Sequence, residues 1–199
     1  RGDMLMFAVT PARIRMDVLS PPPLSSPIAV LTSDGKKFSL FDQREKRFFM
    51  GAATACNISR LTTFQVPGHV LVTLLRGQAP VLKHAPGEGT IEWNRRGYYV
   101  VTIPSTRTAV EEIHLAPNPA DMELDWQKQR IRVLDIKVRQ YGDVLYHAKM
   151  EGHLPAPMAK DRIDPDGIDP PLPPSGPQCE AEVPRRIDVE MPMQDQDVI

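Results

Sequence analysis

The chain has 199 residues, a formal net charge of −1 and 41% hydrophobic side chains. That length fits one domain with one core, and a charge this close to zero supplies no global field for nucleic acid or acidic substrates. The charge is uneven, however. Residues 161–199 hold ten Asp/Glu against three Lys/Arg, which leaves a mildly basic body and an acidic tail.

Met4 to Val9 is apolar throughout and predicts a strand, buried on both sides or lying at a cut edge. From Arg13 to Leu19, Arg13, Arg15 and Asp17 alternate with Ile14, Met16 and Val18. That period of two predicts a strand with one wet and one apolar face. A proline loop, Ser20 to Pro27, lifts Leu24 on a stiff connection; Leu24 either folds back onto the core or points outward. Ile28–Leu31 closes at Ser33-Asp34-Gly35, a hairpin signal. Strands at Lys37–Asp42 and Phe48–Met50 complete an antiparallel meander.

Ala53 to Val66 reads as a loop or short helix. Pro67 to Gly77 reads as a helix: proline suits the first turn, glycine the C-terminal cap, and Val70, Leu71, Leu74 and Leu75 form a stripe. Further strands are expected at Thr90–Trp93, Tyr98–Ile103, Ala109–Leu115 and Val144–Met150, with a marginal one at Leu124–Trp126. Arg130–Tyr141 has the clearest alternation, slipping at Leu134-Asp135 as a bulge would require. About ten strands with one or two short helices make the fold mainly β. Ten of the 46 residues from Leu154 onward are proline. The organisation expected is a domain over 1–153 and a proline-rich acidic tail over 154–199 that is extended, disordered or clinging to the body.

Few residues invite chemistry. The five histidines sit in no metal-binding frame, no glycine-framed serine or phosphate loop is present, and neither an enzyme, a metal nor a cofactor is expected. Glu112 and His114 share one strand face and Glu111 takes the other; all three read as solvated strand decoration. Asp164-Pro-Asp166-Gly167-Ile-Asp169 begins like a calcium loop, but no glutamate closes it, and an acidic linker is the better reading. Arg95, Arg96, Arg130, Arg132, Lys137 and Arg139 read as the wet face of a half-covered sheet, not as a nucleic-acid site.

The order of these parts resembles a known family. A strand, a loop with a central leucine, a strand, an Asp-Gly hairpin and an aromatic-rich strand precede a leucine-rich helix before Gly77-Gln78-Ala79-Pro80. Met122-Glu123-Leu124 then leads into Arg130-Ile131-Arg132-Val133-Leu134-Asp135-Ile136. This is similar to the bacterial lipoprotein-localisation (LolA/LolB) family, and most of all to its outer-membrane receptor branch. The resemblance covers residues 3–150 and implies an unclosed antiparallel β-barrel covered by short helices, with an apolar cavity for acyl chains.

On that resemblance the cavity residues are Phe38, Phe48, Leu71, Leu74, Trp93, Tyr99, Ile113, Ile131 and Val133, although the same side chains would equally fill a closed core. The membrane-contact loop is Pro22, Pro23, Leu24 and Ser25. Cys56 and Cys179 read either as two unrelated buried thiols or, in the oxidising compartment that the resemblance implies, as a disulfide tying tail to body. The implied function is non-enzymatic: holding acyl chains and helping lipoprotein delivery, with a periplasmic carrier and the outer-membrane surface as partners. The implied location is the periplasmic face of the outer membrane, anchored by a lipidated cysteine upstream of Arg1. The rival is a structural or interaction lipoprotein of an envelope complex on the same β-fold.

Overall fold

The computed structural model describes residues 3–21, 23, 26–59, 66–155, 182–192 and 196–198. The meander forms as the alternation dictates. Strands β1 (Met4–Val9), β2 (Arg13–Leu19), β3 (Pro27–Ser33), β4 (Lys37–Asp42) and β5 (Arg47–Ala52) make one antiparallel sheet in sequence order. Side-chain turns set its hairpins. The Asp34 carboxylate accepts the N–H groups of Lys36 and Lys37, both at 2.7 Å, while Gly35 takes φ +90°. Asp42 does the same for Arg44 and Glu45. The neck of the proline loop is tied by Ser20 N–H to the Ser26 carbonyl at 2.8 Å. Of the two expectations for Met4–Val9 the edge is found: β1 is outermost, and Met4, Leu5, Met6, Phe7 and Val9 are exposed.

Two helices follow, α1 (Ala55–Ser59) and α2 (Gly68–Leu75), the second inside the span its caps predict. Pro67 stands just before the first helical residue. Gly77 adopts φ +71°, and the Gly77 and Gln78 N–H groups return to the Leu74 and Thr73 carbonyls. Val70, Leu71, Val72 and Leu74 are all buried. At 100° per residue they cover roughly 200° of the helix, so α2 is enclosed on more than one side. It packs against β1 and β2.

The second sheet has seven strands in the order β14-β13-β10-β9-β8-β7-β6. They are β6 (Thr90–Asn94), β7 (Tyr98–Pro104), β8 (Ala109–Pro117), β9 (Ile131–Gln140), β10 (Asp143–Glu151), β13 (Arg186–Met191) and β14 (Gln196–Val198). The expected bulge is present: Leu115 faces Val133 and His114 faces Asp135, so Leu134 is the extra residue. A small pair, β11 (Leu154–Pro155) and β12 (Glu182–Val183), stands apart.

One expectation differs from what is found. Leu124–Trp126 is not a strand; a 3-10 turn covers Trp126–Lys128. Of the alternatives for the tail, residues 186–191 take the clinging one, with β13 pairing antiparallel to β10. The cause is local alternation: Ile187, Val189 and Met191 are interleaved with Asp188 and Glu190, and Val189 and Met191 are buried. Pro184 lies over the end of α2, so close that a Cβ on Gly77 would stand 2.5 Å from its Cδ.

Buried residues of β2, β3 and β4, of α2, and of β7 to β10 and β13 form one continuous cluster. The fold is therefore mainly β: two antiparallel sheets that do not close into a barrel, with few helices and one shared apolar interior.

Candidate functional site: an open apolar corner of the inner face

Registers define the inner face of the second sheet row by row. One row runs Ile91, Val101, Ile113, Ile136, Ala148 and Val189; the next runs Trp93, Tyr99, Leu115 and Val133; Pro117 and Ile131 end it. Burial is complete in the middle and fades towards β6. Ile113 is 4% exposed and Val133 9%, but Trp93 is 52%, Ile91 65% and Ile131 47%. The uncovered part is a contiguous apolar corner. Trp93 and Tyr99, directly opposite in register, stack edge to face with ring centroids 4.7 Å apart.

The connection from β8 to β9 adjoins this corner and exposes Met122, Leu124 and Trp126. A charged clamp closes its neck. The Asp121 carboxylate accepts Arg130 Nε at 2.7 Å, Nη2 at 2.8 Å and the backbone N–H at 3.0 Å. Asn118 Oδ1 accepts the Ala120 N–H, and the Asn118 N–H donates to the Arg130 carbonyl. Arg130 holds the Asp121 carboxyl at about 2, below the ordinary 3.8. The clamp's stabilisation is thus present above pH 3.8 and lost as pH falls through about 2. Asp121→Asn is expected to flatten that acid limb of stability, measured as melting temperature from pH 5 to pH 2.

The predicted cavity residues separate into three groups. Phe38, Leu71, Leu74, Ile113 and Val133 are buried in the shared core. Trp93, Tyr99 and Ile131 form the open corner together with Ile91 and Leu115. Phe48 belongs to neither: it pairs with Phe41 on the face of the first sheet turned away from α2 and is 61% exposed. Its expected inward placement is corrected by register, because Leu40 and Phe49 take the inner side. Of the membrane-contact loop, Pro23 is exposed, while Pro22, Leu24 and Ser25 lie outside the described residues. Cys56 is an exposed free thiol on α1; Cys179 and the aspartate string 164–169 lie outside the described residues.

The residue that alternation could have found is Glu111. It shares parity with Ile113 and Leu115, so it faces inward, and it is fully buried. Its Oε2 accepts the Leu82 N–H at 2.8 Å, and its Oε1 meets no partner. Burial pushes its carboxyl up, against the pull of the Leu82 N–H and of His84. The buried Tyr146 hydroxyl on the same face is also unpartnered. On the opposite, outer face, His114 meets Glu112 at 3.0 Å, Glu112 meets Arg139 at 3.4 Å, and His147 meets Asp135 at 2.7 Å. Among the described residues no three such side chains are placed to hold a metal.

No family model and no curated protein matches the chain. Among solved structures it is similar to a LolA superfamily protein from Nitrosomonas europaea, at 12% identity and a TM-score of 0.46, over 98% of this chain and 72% of that one.

Proposed function

We propose that the protein is a non-enzymatic carrier of acyl chains, which it receives at the open corner formed by Ile91, Trp93, Tyr99, Leu115 and Ile131. The observation that carries this reading is the gradient of burial along one apolar face. Along these two rows the inner side of the second sheet is apolar from β13 to β6, but the shared core reaches no further than β7 and leaves Ile91 and Trp93 on β6 exposed. An exposed tryptophan and two exposed isoleucines, with the half-buried Tyr99 opposite the tryptophan, are costly to leave in water and favourable to cover with hydrocarbon. The resemblance in element order extends the proposal to lipoprotein acyl chains as cargo, a periplasmic carrier as donor and the periplasmic face of the outer membrane as the place of delivery.

The chain's two tryptophans offer the test, with Trp126→Phe leaving Trp93 as the single emitter. A doxyl-labelled fatty acid is expected to quench Trp93 saturably. Trp93 is essential to that readout, so the affinity test uses Ile131→Glu with Ile91→Glu, which is expected to weaken binding by about tenfold to hundredfold. Absence of quenching, together with no lipid extracted from the purified protein, would overturn the carrier reading in favour of a structural envelope component.

A further inference from the structure

The two sheets expose outer faces of opposite character. That of the second sheet is an ordinary wet face, laced by the Glu112, His114, Asp135 and His147 contacts. That of the first is not. One row across it reads Leu5, Asp17, Val30, Phe41 and Phe48, and the next reads Phe7, Arg15, Thr32, Ser39 and Met50. Phe7, Phe41, Phe48 and Met50 are exposed, at 56%, 41%, 61% and 68%. The charges inside this apolar field cancel, since Arg15 holds the buried Asp17 carboxylate through three contacts of 2.9 to 3.2 Å.

One row further along, about 7 Å away, the face turns basic. An open groove of ≈ 490 Å³ is lined by Arg13, Thr32, Asp34, Lys37, Ser39 and Met50. Among the described residues neither Arg13 nor Lys37 makes an ion pair. The carboxylate of Asp34 is engaged by backbone N–H groups, and the Thr32 and Ser39 hydroxyls meet at 2.7 Å. Across residues 4–52 there are seven Lys/Arg against four Asp/Glu. The face thus passes from aromatic and aliphatic side chains to unpaired cations flanked by hydroxyls.

We propose that the outer face of β1–β5 docks on an anionic phospholipid bilayer, with Phe41, Phe48 and Met50 entering the interfacial region and Arg13 and Lys37 meeting lipid phosphates. A soluble protein partner is less suited to the face, because an apolar row flanked by a cationic row at one end matches the layered polarity of a membrane surface. This surface is separate from the acyl-chain corner, and either proposal can fail alone.

The experiment is co-sedimentation of the full chain with phosphatidylcholine vesicles, with and without phosphatidylglycerol, at low and high salt. Binding is expected with phosphatidylglycerol and should weaken with salt. Arg13→Gln with Lys37→Gln should reduce partitioning by about thirtyfold. Phe48→Glu with Met50→Glu should abolish it, while both variants keep the parent melting temperature and the fatty-acid quenching of Trp93. Equal binding to neutral vesicles, parent-like binding by either variant, or no binding at all would overturn the proposal. So would a dimer in sedimentation equilibrium that the Phe48/Met50 variant dissolves, which would assign the face to a second copy.

Discussion

Leu74→Ala is expected to lower stability by about 3–5 kcal/mol, near the upper end for a buried leucine. Leu74 is 1% exposed and lies in the cluster to which both sheets contribute. Its removal leaves a void that neither sheet can close alone, because α2 is enclosed over roughly 200° of its circumference. For a chain of this size the melting temperature should fall by roughly 8–15 °C. The midpoint of urea unfolding measures the loss, with Arg76→Ala, exposed at the end of the helix, as a neutral control. The result also distinguishes two roles. A cover that swings away from the sheet would tolerate the truncation, whereas a core element shared by two sheets would not. A near-zero change would make α2 a movable lid and would enlarge the candidate site to include the residues beneath it.

How far the sequence discloses this arrangement depends on whether a signal is local. The helix is legible because Pro67, Gly77 and the spacing of its leucines coincide. The bulge is legible because alternation slips at Leu134. Asp34-Gly35 and Asp42 announce their hairpins by side-chain chemistry alone. Residues 186–191 are different: their alternation is as regular as that of Arg13–Leu19, but it lies in a stretch rich in proline and acid. Average composition and local period point in opposite directions there, and the local period wins once β10 offers a partner edge. Phe48 was illegible for another reason. Phe48, Phe49 and Met50 are apolar on both faces of an edge strand, so parity assigns no side to them. Only the register with β4, set by the Asp42 turn, sends Phe48 outward. The distinction between filled core and open corner is also beyond the sequence. Ile113 and Ile131 look alike as residues and differ in whether the shared core covers them.

Glu111 shows how much hangs on a single parity decision. Reading Glu111-Glu112 as a solvated pair treats both as decoration, whereas the strand places Glu111 between Ile103 and Val138 on the inner face. Its buried carboxylate holds the Leu82 N–H and thereby fastens the connection from α2 to β6, which Ser105 also fastens through the Lys83 carbonyl. Because burial raises its carboxyl above the ordinary 4.5, the folded chain keeps this proton more firmly than the unfolded chain does. Its contribution is therefore fully present below pH 4.5 and lost as pH rises through the raised value. The groups that face it are His84, whose charge opposes the shift, and Tyr146, whose own hydroxyl is pushed up by burial and by Glu111. Glu111→Gln keeps an acceptor for Leu82 and removes the titration. It is expected to match the parent at pH 4 and to exceed it in stability at pH 8. Glu111→Leu also removes the titration but strands the Leu82 N–H, so it should lie about 1–3 kcal/mol below the glutamine variant at every pH. Urea unfolding at pH 4, 6 and 8 separates the three. Parallel curves for the parent and Glu111→Gln would mean that the carboxyl stays solvated in the folded protein, and that the segment over β8 opens far more readily than its two fastenings imply.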